Sequence, residues 1–183
     1  MILIERAIPD NADELSRISL ESKSHWGYPS EWMAAWTDAL RIDRDQIVAH
    51  ATFVARRDNE LIGFYLLRID GEKALLEHLW VRPNQIGRGL GRLLFVHAVE
   101  QARTRGAKFI EIESDPNAEG FYRRLGAQRV GTVNATVVDF PREVPVLRFQ
   151  LDQISFDPIK MDGTSVSSGN GGRIKPHKSA CKE

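Results

Sequence analysis

The sequence predicts a single α+β domain in which helices flank a largely antiparallel sheet. Three observations support this fold class. Residues 51–81 hold short β-rich runs separated by tight turns, a glycine-rich loop then leads into an apolar helical segment, and a strand, a short helix and two further strands follow. With 183 residues, of which 42% are hydrophobic, the chain is large enough to bury one substantial core.

The first residues predict a strand followed by a helix. The run from residue 2 to residue 8 alternates weakly between apolar and polar side chains, as a strand does. Asp10 then stands where a residue can cap a helix that carries Leu15 and Ile18 toward a core.

A second helix is predicted to begin at Pro29 and Ser30. Trp32, Trp36 and Leu40 recur at a four-residue spacing, which places them on one apolar helix face. The spacing therefore assigns Trp32 and Trp36 to the core.

A meander of three antiparallel strands is predicted between residues 51 and 81. The runs ATFVARR, ELIGFYLLRI and KALLEHLWV are separated by Asp58-Asn59 and Asp70-Gly71, dipeptides that favour tight turns. Pro83 ends the third strand.

The second half predicts alternating helices and strands. LGRLLFVHAVEQARTR is typical of a well-buried helix that ends at Gly106, and KFIEIES of the strand after it. Asp115 and Pro116 open a short helix that Gly126 closes, and two β-rich runs follow near 129–138 and 144–151.

The pattern ends near residue 153, so we expect one domain over 1–153 and a disordered polar tail over 154–183. Lys plus Arg and Asp plus Glu number 25 each, which favours neither a nucleic acid nor a membrane partner. Without a leader or an apolar span, we expect a cytoplasmic protein. The lone Cys181 and the absence of metal-ligand spacing predict no metal site.

A glycine-rich loop joins the meander to the buried helix. Gly87, Gly89 and Gly91 alternate in it, and glycines at such a junction let backbone N–H groups converge on an anion at the helix N-terminus. The loop lacks the placement of a dinucleotide-binding GxGxxG and the Gly-Lys-Ser/Thr of a Walker loop. It therefore favours another pyrophosphate-bearing ligand, although glycines also serve tight turns.

The segments LWVRPNQIGRGLGRLL and IEIESDPNAEGFYRRLGAQRVG resemble the central motifs of the GNAT superfamily of N-acetyltransferases. The resemblance is close over residues 75–131, and the order of elements agrees as far as residue 151. It implies a GNAT-like acyl-CoA N-acyltransferase fold, with a central twisted mixed sheet of about seven strands flanked by about four helices. It also implies acetyl transfer from acetyl-CoA to an amine.

The resemblance implies that the loop binds the pyrophosphate of acetyl-CoA through its main-chain amides. The residues concerned are Ile86, Gly87, Arg88, Gly89, Leu90 and Gly91. Ile86 departs from the Arg or Gln of the family, which removes one side-chain contribution. Where the third meander strand splays from the next strand, Leu79, Trp80 and Val81 would hold the pantetheine arm, together with Asn117.

Two catalytic residues are implied. Tyr122 matches the tyrosine that protonates the departing thiolate, with a packed aromatic as the alternative, and Glu77 could accept the proton of the amine or be a surface residue. Strand alternation places Glu77 with Leu79 and puts His78 on the other face. His97 is interpreted as a core histidine.

The acceptor wall is predicted around SHWGYPSEW, because aromatic side chains with a carboxylate suit a cationic amine. Trp26, Tyr28 and Glu31 are the candidates. A small-molecule amine is the favoured acceptor, and a protein amine or a non-catalytic acyl-CoA sensor are the alternatives. A homodimer is left open.

Overall fold

The computed structural model describes residues 1–151, which build one sheet of seven strands with helices on both of its faces. The strands are β1 (Ile2–Arg6), β2 (Ala51–Arg57), β3 (Glu60–Asp70), β4 (Lys73–Val81), β5 (Phe109–Glu113), β6 (Gln128–Val137) and β7 (Phe140–Gln150). The helices are α1 (Ala12–Ser24), α2 (Ser30–Ala35), α3 (Arg44–Ala49), α4 (Leu90–Thr104) and α5 (Pro116–Arg124). The predicted tail, 154–183, and Cys181 lie outside the described residues.

The strand order is β1-β2-β3-β4-β5-β7-β6. Only β4 and β5 run parallel, because α4 carries the chain back between them, and all other neighbours are antiparallel. This confirms the predicted mixed, largely antiparallel sheet. The last two strands exchange places, so that β7 pairs with β5 and leaves β6 at the edge.

The predicted hairpin turns of the meander are present. Asp58 and Asn59 take φ values of 50° and 69° between β2 and β3, and Gly71 takes 58° in the turn that follows Asp70. These are left-handed conformations that Asp, Asn and Gly adopt at little cost.

Two apolar cores cover the two faces of the sheet. Helices α4 and α5 pack over one face through residues such as Phe95 and Tyr122. Helices α1 and α3 pack over the other through residues such as Ile18 and Ile47. Neighbouring residues of β3 serve both cores, since side chains alternate along a strand and both faces are covered.

The start of the first helix differs from the prediction. Asp10 does not cap it, because a 3₁₀ turn over Pro9–Asn11 precedes α1. The side chain of Asn11 instead accepts from the backbone N–H of Ile8 at 2.9 Å, and Asp10 pairs with Arg44 at 2.7 Å on the surface.

The second predicted helix is shorter than the tryptophan spacing suggested. Helix α2 ends at Ala35. Of the three residues predicted to share its apolar face, Leu40 is buried, whereas Trp32 and Trp36 are only partly covered. Helix α3 was not predicted, although it has a local signal. Asp43 accepts from the N–H of Gln46 at 2.7 Å and Gln46 accepts from that of Asp43 at 3.0 Å, which is a capping box.

Candidate active site

The parallel strands β4 and β5 part in the middle of the sheet. They pair only over residues 73–75 of β4 and 109–111 of β5. Beyond Leu75 the edge of β4 that faces β5 has no strand partner in the described part of the chain. The predicted splaying of these strands is confirmed, and it leaves a gap lined by backbone in the sheet.

A β-bulge at Glu77 accompanies the parting. The register passes from Leu66 opposite His78 to Leu67 opposite Leu76, so Glu77 has no directly opposed residue on β3. A bulge adds one residue to one strand and reverses the alternation beyond it.

The bulge changes the faces that simple alternation predicted. Leu76 and Leu79 both pack on the side of α4, whereas His78 and Trp80 share the side of α1. The prediction that Glu77 shares the face of Leu79 and lies opposite His78 is therefore wrong. The carboxylate of Glu77 forms an ion pair with Arg68 at 2.8 Å, which directs it toward the α1 side as well.

A cleft of about 170 Å³ occupies the gap between the strands. Its walls come from α1, β4, β5, α5 and β7. The lining residues are Lys23, Trp26, Leu76, Glu77, Leu79, Trp80, Ile112, Glu113, Ser114, Asp115, Ala118, Tyr122, Arg142 and Val144.

Tyr122 lines this cleft from the last turns of α5. Its side chain is buried between Phe121 and Phe95, whose ring centroids lie 4.9 Å and 5.7 Å from its own. Burial, with the nearby charge of Asp115, raises the pKa of Tyr122 well above its ordinary value. The phenol therefore keeps its proton at neutral pH and can donate it.

The glycine-rich loop leads directly into α4. Gly87 and Gly89 have φ values of 76° and 81°, and no heavy atom lies within 4 Å of the position that a Cβ would take at either residue. A Cβ on Gly91 would lie 3.3 Å from the ring of Phe121, so that glycine lets α4 and α5 approach. The loop thus presents open backbone at the start of a 15-residue helix, whose first amides have no intrahelical acceptor.

The predicted acceptor residues are not all in one place. Trp26 lines the cleft and is 39% exposed. Tyr28 lies behind the cleft wall, where its hydroxyl is bonded to Asp115 and accepts from the side-chain amide of Asn117 at 2.8 Å. Glu31 is exposed on the first turn of α2 and is not among the residues that line the cleft, so the structure does not bring it together with Trp26.

A cluster of charged side chains, which we call the charge cluster, forms the cleft wall between α1 and β7. It consists of Lys23, Asp115 and Arg142, with the hydroxyl of Tyr28. The Lys23 ammonium donates to Asp115 Oδ2, and Arg142 Nη2 donates to the same oxygen at 3.0 Å. Tyr28 Oη lies 2.9 Å from Asp115 Oδ1.

The charge cluster is buried. Only 8% of the Lys23 side chain, 7% of Asp115 and 11% of Arg142 are exposed. The Trp36 ring covers both cations, with its centroid 4.2 Å from Lys23 Nζ and 4.7 Å from Arg142 Cζ. Asp115 also accepts from the N–H of Asn117 at 2.9 Å, which confirms it as the residue that opens α5.

Burial and charge act in opposite directions on the titration of this cluster. Burial would raise the pKa of Asp115, but the hydrogen bond and charge of Lys23 outweigh it and hold that pKa below its ordinary value. Burial lowers the pKa of Lys23. Burial and the hydrogen bond to Asp115 raise the pKa of Tyr28 to about 12. At neutral pH the cluster therefore holds a carboxylate and a neutral phenol.

Burial favours the neutral form of two histidines, His78 and His97. Burial lowers the pKa of His78 to about 4, and its Nδ1 lies 3.1 Å from the indole nitrogen of Trp80. Burial also lowers the pKa of His97, whose Nδ1 lies 2.8 Å from the Tyr65 hydroxyl inside the core. The prediction that His97 is a satisfied core histidine is confirmed.

Aromatic side chains connect α2 to the hairpin of β6 and β7. The Tyr28 and Trp36 ring centroids are 5.0 Å apart, and those of Trp32 and Phe140 are 6.1 Å apart. We call this group, Tyr28, Trp32, Trp36 and Phe140, the aromatic bridge. It lies behind the charge cluster, where the Trp36 ring covers Lys23 and Arg142.

The sequence did not predict three members of the site, Lys23, Arg142 and Glu113. Lys23 and Asp115 are separated by 92 positions, and Asp115 and Arg142 by 27. No local spacing could connect them. Glu113 had a usable signal, because it is the last residue of β5 and the partner of the parted strand was already expected there.

Within residues 1–151, no helix is both long and apolar enough to cross a membrane. No group of three or more His, Cys, Asp or Glu side chains in that range is arranged to hold a metal ion.

Comparisons with known proteins agree with this geometry. A model described as "Acetyltransferase (GNAT) family" matches residues 15–127. The 5-NmdU N-acetyltransferase of Pseudomonas phage PaMx11 is 25% identical over 128 residues, which cover 69% of this chain and 86% of that protein. Streptothricin acetyltransferase of Streptomyces lavendulae is 37% identical over 81 residues, or 41% and 43% of the two chains.

Among solved structures, the fold resembles the PaiA N-acetyltransferase of Thermoplasma acidophilum, which was crystallised with coenzyme A. The TM-score is 0.68 at 19% identity, and the match covers 82% of this chain and 99% of that one. The likeness is one of fold.

Proposed function

The chain belongs to the GNAT acetyltransferase family, and we propose that it transfers the acetyl group of acetyl-CoA to the primary amine of a small molecule. The observation that carries this proposal is the parting of β4 and β5 around a cleft that Tyr122 lines. A thioester arm lying in that gap would meet unpaired strand backbone and a proton donor together.

The loop at the start of α4 suits the pyrophosphate of acetyl-CoA. The residues of the loop are Ile86, Gly87, Arg88, Gly89, Leu90 and Gly91. Open backbone at Gly87 and Gly89 and the positive end of the α4 dipole favour an anion there. Contact between Gly91 and Phe121 brings the loop next to α5, which carries Tyr122. One bound molecule could therefore reach from the loop to the cleft.

Acetyl-CoA supplies the activated acetyl group as a thioester. Glu77 is proposed to accept a proton from the amine, and its ion pair with Arg68 keeps the carboxylate at the bulge. Backbone groups from Leu79 through Trp80 to Val81 would hold the pantetheine arm and polarise the acetyl carbonyl, since that edge of β4 has no strand partner in residues 1–151.

Tyr122 is proposed to protonate the departing thiolate. Because burial raises its pKa, the phenol is fully protonated when the thiolate leaves. The amide of Asn117 would be shared between Tyr28 and the pantetheine arm, since its oxygen makes no hydrogen bond within residues 1–151.

A small acceptor is favoured over a peptide because the cleft is small, with a volume of about 170 Å³. The aromatic bridge joins α2 to the β6–β7 hairpin behind the charge cluster. Trp26 is a partly exposed member of the cleft lining, where it could contact the body of the acceptor.

The test is thiol release from acetyl-CoA across a panel of amino acids, polyamines, aminoglycosides and short peptides. We expect amine-dependent release that falls roughly 100-fold in kcat in Tyr122→Phe, the scale of a lost general acid. Tyr65→Phe is the matched control, because it removes a buried phenol bonded to His97 outside the cleft. It should leave kcat unchanged.

Three results would count against the proposal. Equal loss in the two variants would mean that Tyr122 has only a packing role. Release with peptides alone would favour a protein acceptor. Binding of acetyl-CoA without release for any amine would favour a sensor that has lost turnover.

A further inference from the structure

The charge cluster holds more positive than negative charge. Two cations, Lys23 and Arg142, share the single carboxylate of Asp115, and the Tyr28 phenol is neutral. Burying an uncompensated charge is costly, because the protein interior solvates it poorly. The cluster is therefore one negative charge short of balance.

Both cations also have unused hydrogen-bond donors. An ammonium has three N–H donors and a guanidinium five. Within residues 1–151, Lys23 donates only to Asp115, while Arg142 donates only through Nη2, to Asp115 and to Tyr28 at 3.3 Å. The Nε and Nη1 donors of Arg142 remain, on a side chain that is nine-tenths covered.

The unused donors belong to residues that line the cleft. Lys23 and Arg142 both contribute to its wall, next to Trp26. The other carboxylates of the cleft do not supply the missing charge. Glu77 is paired with Arg68, and no ion pair within 4.0 Å joins Glu113 to either cation in the described residues.

We propose that the acceptor carries a carboxylate as well as its amine, and that Lys23 and Arg142 bind this carboxylate. The inference rests on the proposed function and names the substrate class for the same cleft. A carboxylate supplies the single missing charge and matches the planar donor face of a guanidinium. Glu77 and Glu113 then face the ammonium end of the same molecule, so the cleft complements a zwitterion.

The test measures binding rather than turnover, so that it does not depend on catalysis. The probes are glycine, β-alanine, γ-aminobutyrate and 5-aminopentanoate, each compared with its own primary amide. Calorimetric titration is made into the full chain saturated with coenzyme A. We expect at least one carboxylate of the series to bind ~10-fold or more tightly than its amide, the scale of one charge-assisted contact.

Three variants separate recognition from packing. Arg142→Gln should remove the preference for carboxylate over amide, and Arg142→Lys should keep part of it because the charge remains. Arg148→Gln is the matched control on the same strand, since Arg148 pairs with Glu111 away from the cleft. It should keep the full preference.

The outcomes are distinct from those of the proposed function. If no carboxylate of the series binds more tightly than its amide, or if Arg142→Gln keeps the preference, the inference is overturned even where thiol release is found. A clear preference without any release would keep the inference and count against the transferase. If Arg142→Gln does not fold, the affinities of each carboxylate and its amide for the unaltered chain still decide whether the inference holds.

Discussion

The glycine-rich loop and the charge cluster are specified in different ways. The loop uses Gly87 and Gly89 at positive φ next to the first residue of α4, so its geometry depends on neighbours in sequence. The charge cluster joins Lys23, Asp115 and Arg142 from three separate elements. Local sequence is enough to define the first, whereas the second exists only once the sheet has formed.

Substitutions in the two regions should also have different effects. A backbone site loses little when an outward side chain changes, because its donors are amides. A buried group of charges is interdependent, since the loss of one member leaves the others unpaired in a poorly solvating environment. The difference predicts large stability effects in the charge cluster, whereas changes in the loop should act mainly on the affinity for acetyl-CoA.

The largest effect is expected for Asp115→Asn. This change leaves the Lys23 and Arg142 cations buried without a counter-charge, which should lower the free energy of unfolding by about 3–5 kcal/mol. Urea denaturation followed by circular dichroism measures the change.

Glu111→Gln is the control for that substitution. Glu111 also has two cationic partners, Lys73 and Arg148, each at 3.0 Å, but both of these side chains are well exposed. Water can solvate them after the change, so we expect a loss of about 1 kcal/mol or less. Similar losses in the two variants would mean that burial does not distinguish the charge cluster.

Acid should weaken the α1 side of the sheet through His78. Its folded-state pKa of about 4 lies below the ordinary 6.5, so the unfolded chain binds a proton that the folded chain does not. Stability from this group is complete above pH 6.5 and is lost as the pH falls toward 4, by about 3 kcal/mol.

His78→Gln should remove that part of the dependence. Unfolding free energies measured at pH 7 and pH 4 would differ by about 3 kcal/mol less in the variant than in the unaltered chain. An NMR titration that places the His78 pKa near 6.5 would contradict the prediction. The acid sensitivity would then have to come from the charge cluster, where the lowered pKa of Asp115 acts at still lower pH.

Much of the fold could be predicted from sequence because its signals are short-range. The turns at Asp58-Asn59 and Gly71, the glycine end of α4 at Gly106 and the Asp115 start of α5 all depend on a few consecutive residues. The strand order does not. That β7 lies between β5 and β6 follows from pairing across the sheet, and no local pattern predicted it.

The candidate site was likewise predictable only where its signals are short-range. Tyr122 and the glycine loop lie in a segment whose motif is continuous. The bulge at Glu77 was missed because the run KALLEHLWV shows no glycine or other mark of an extra residue, and one extra residue reverses the faces of those around it. Arg142 was missed because the partner that explains its burial, Asp115, lies on another element.

A smaller effect is expected at Gly89, and it should appear in affinity. Gly89→Ala puts a Cβ on a residue at φ 81° beside the first amides of α4. We expect the dissociation constant for acetyl-CoA to rise roughly ten-fold, about 1.4 kcal/mol, because the loop shifts away from the strained conformation.

Gly106→Ala is the matched control at the other end of α4, with a φ of 84° and the same open surroundings. Both variants should lose about 1 kcal/mol of unfolding free energy, but only Gly89→Ala should weaken binding of acetyl-CoA in calorimetry. Equal loss of affinity in the two variants would mean that acetyl-CoA binding depends on the stability of α4 and not on the conformation of the loop.

The smallest effect is expected in the turn between β6 and β7, the strand that carries Arg142. Val138 has a φ of 47°, where a β-branched side chain is strained. Val138→Asn should relieve that strain and raise the unfolding free energy by about 1 kcal/mol, or Tm by about 3 °C.

Val133→Asn is the control, an exposed change within β6. It should be neutral or destabilising because Asn disfavours strands. If Val138→Asn stabilised the chain and also tightened carboxylate binding at Arg142, strain in the turn would weaken binding at the charge cluster. Local sequence would then contribute to the charge cluster as well as to the glycine-rich loop.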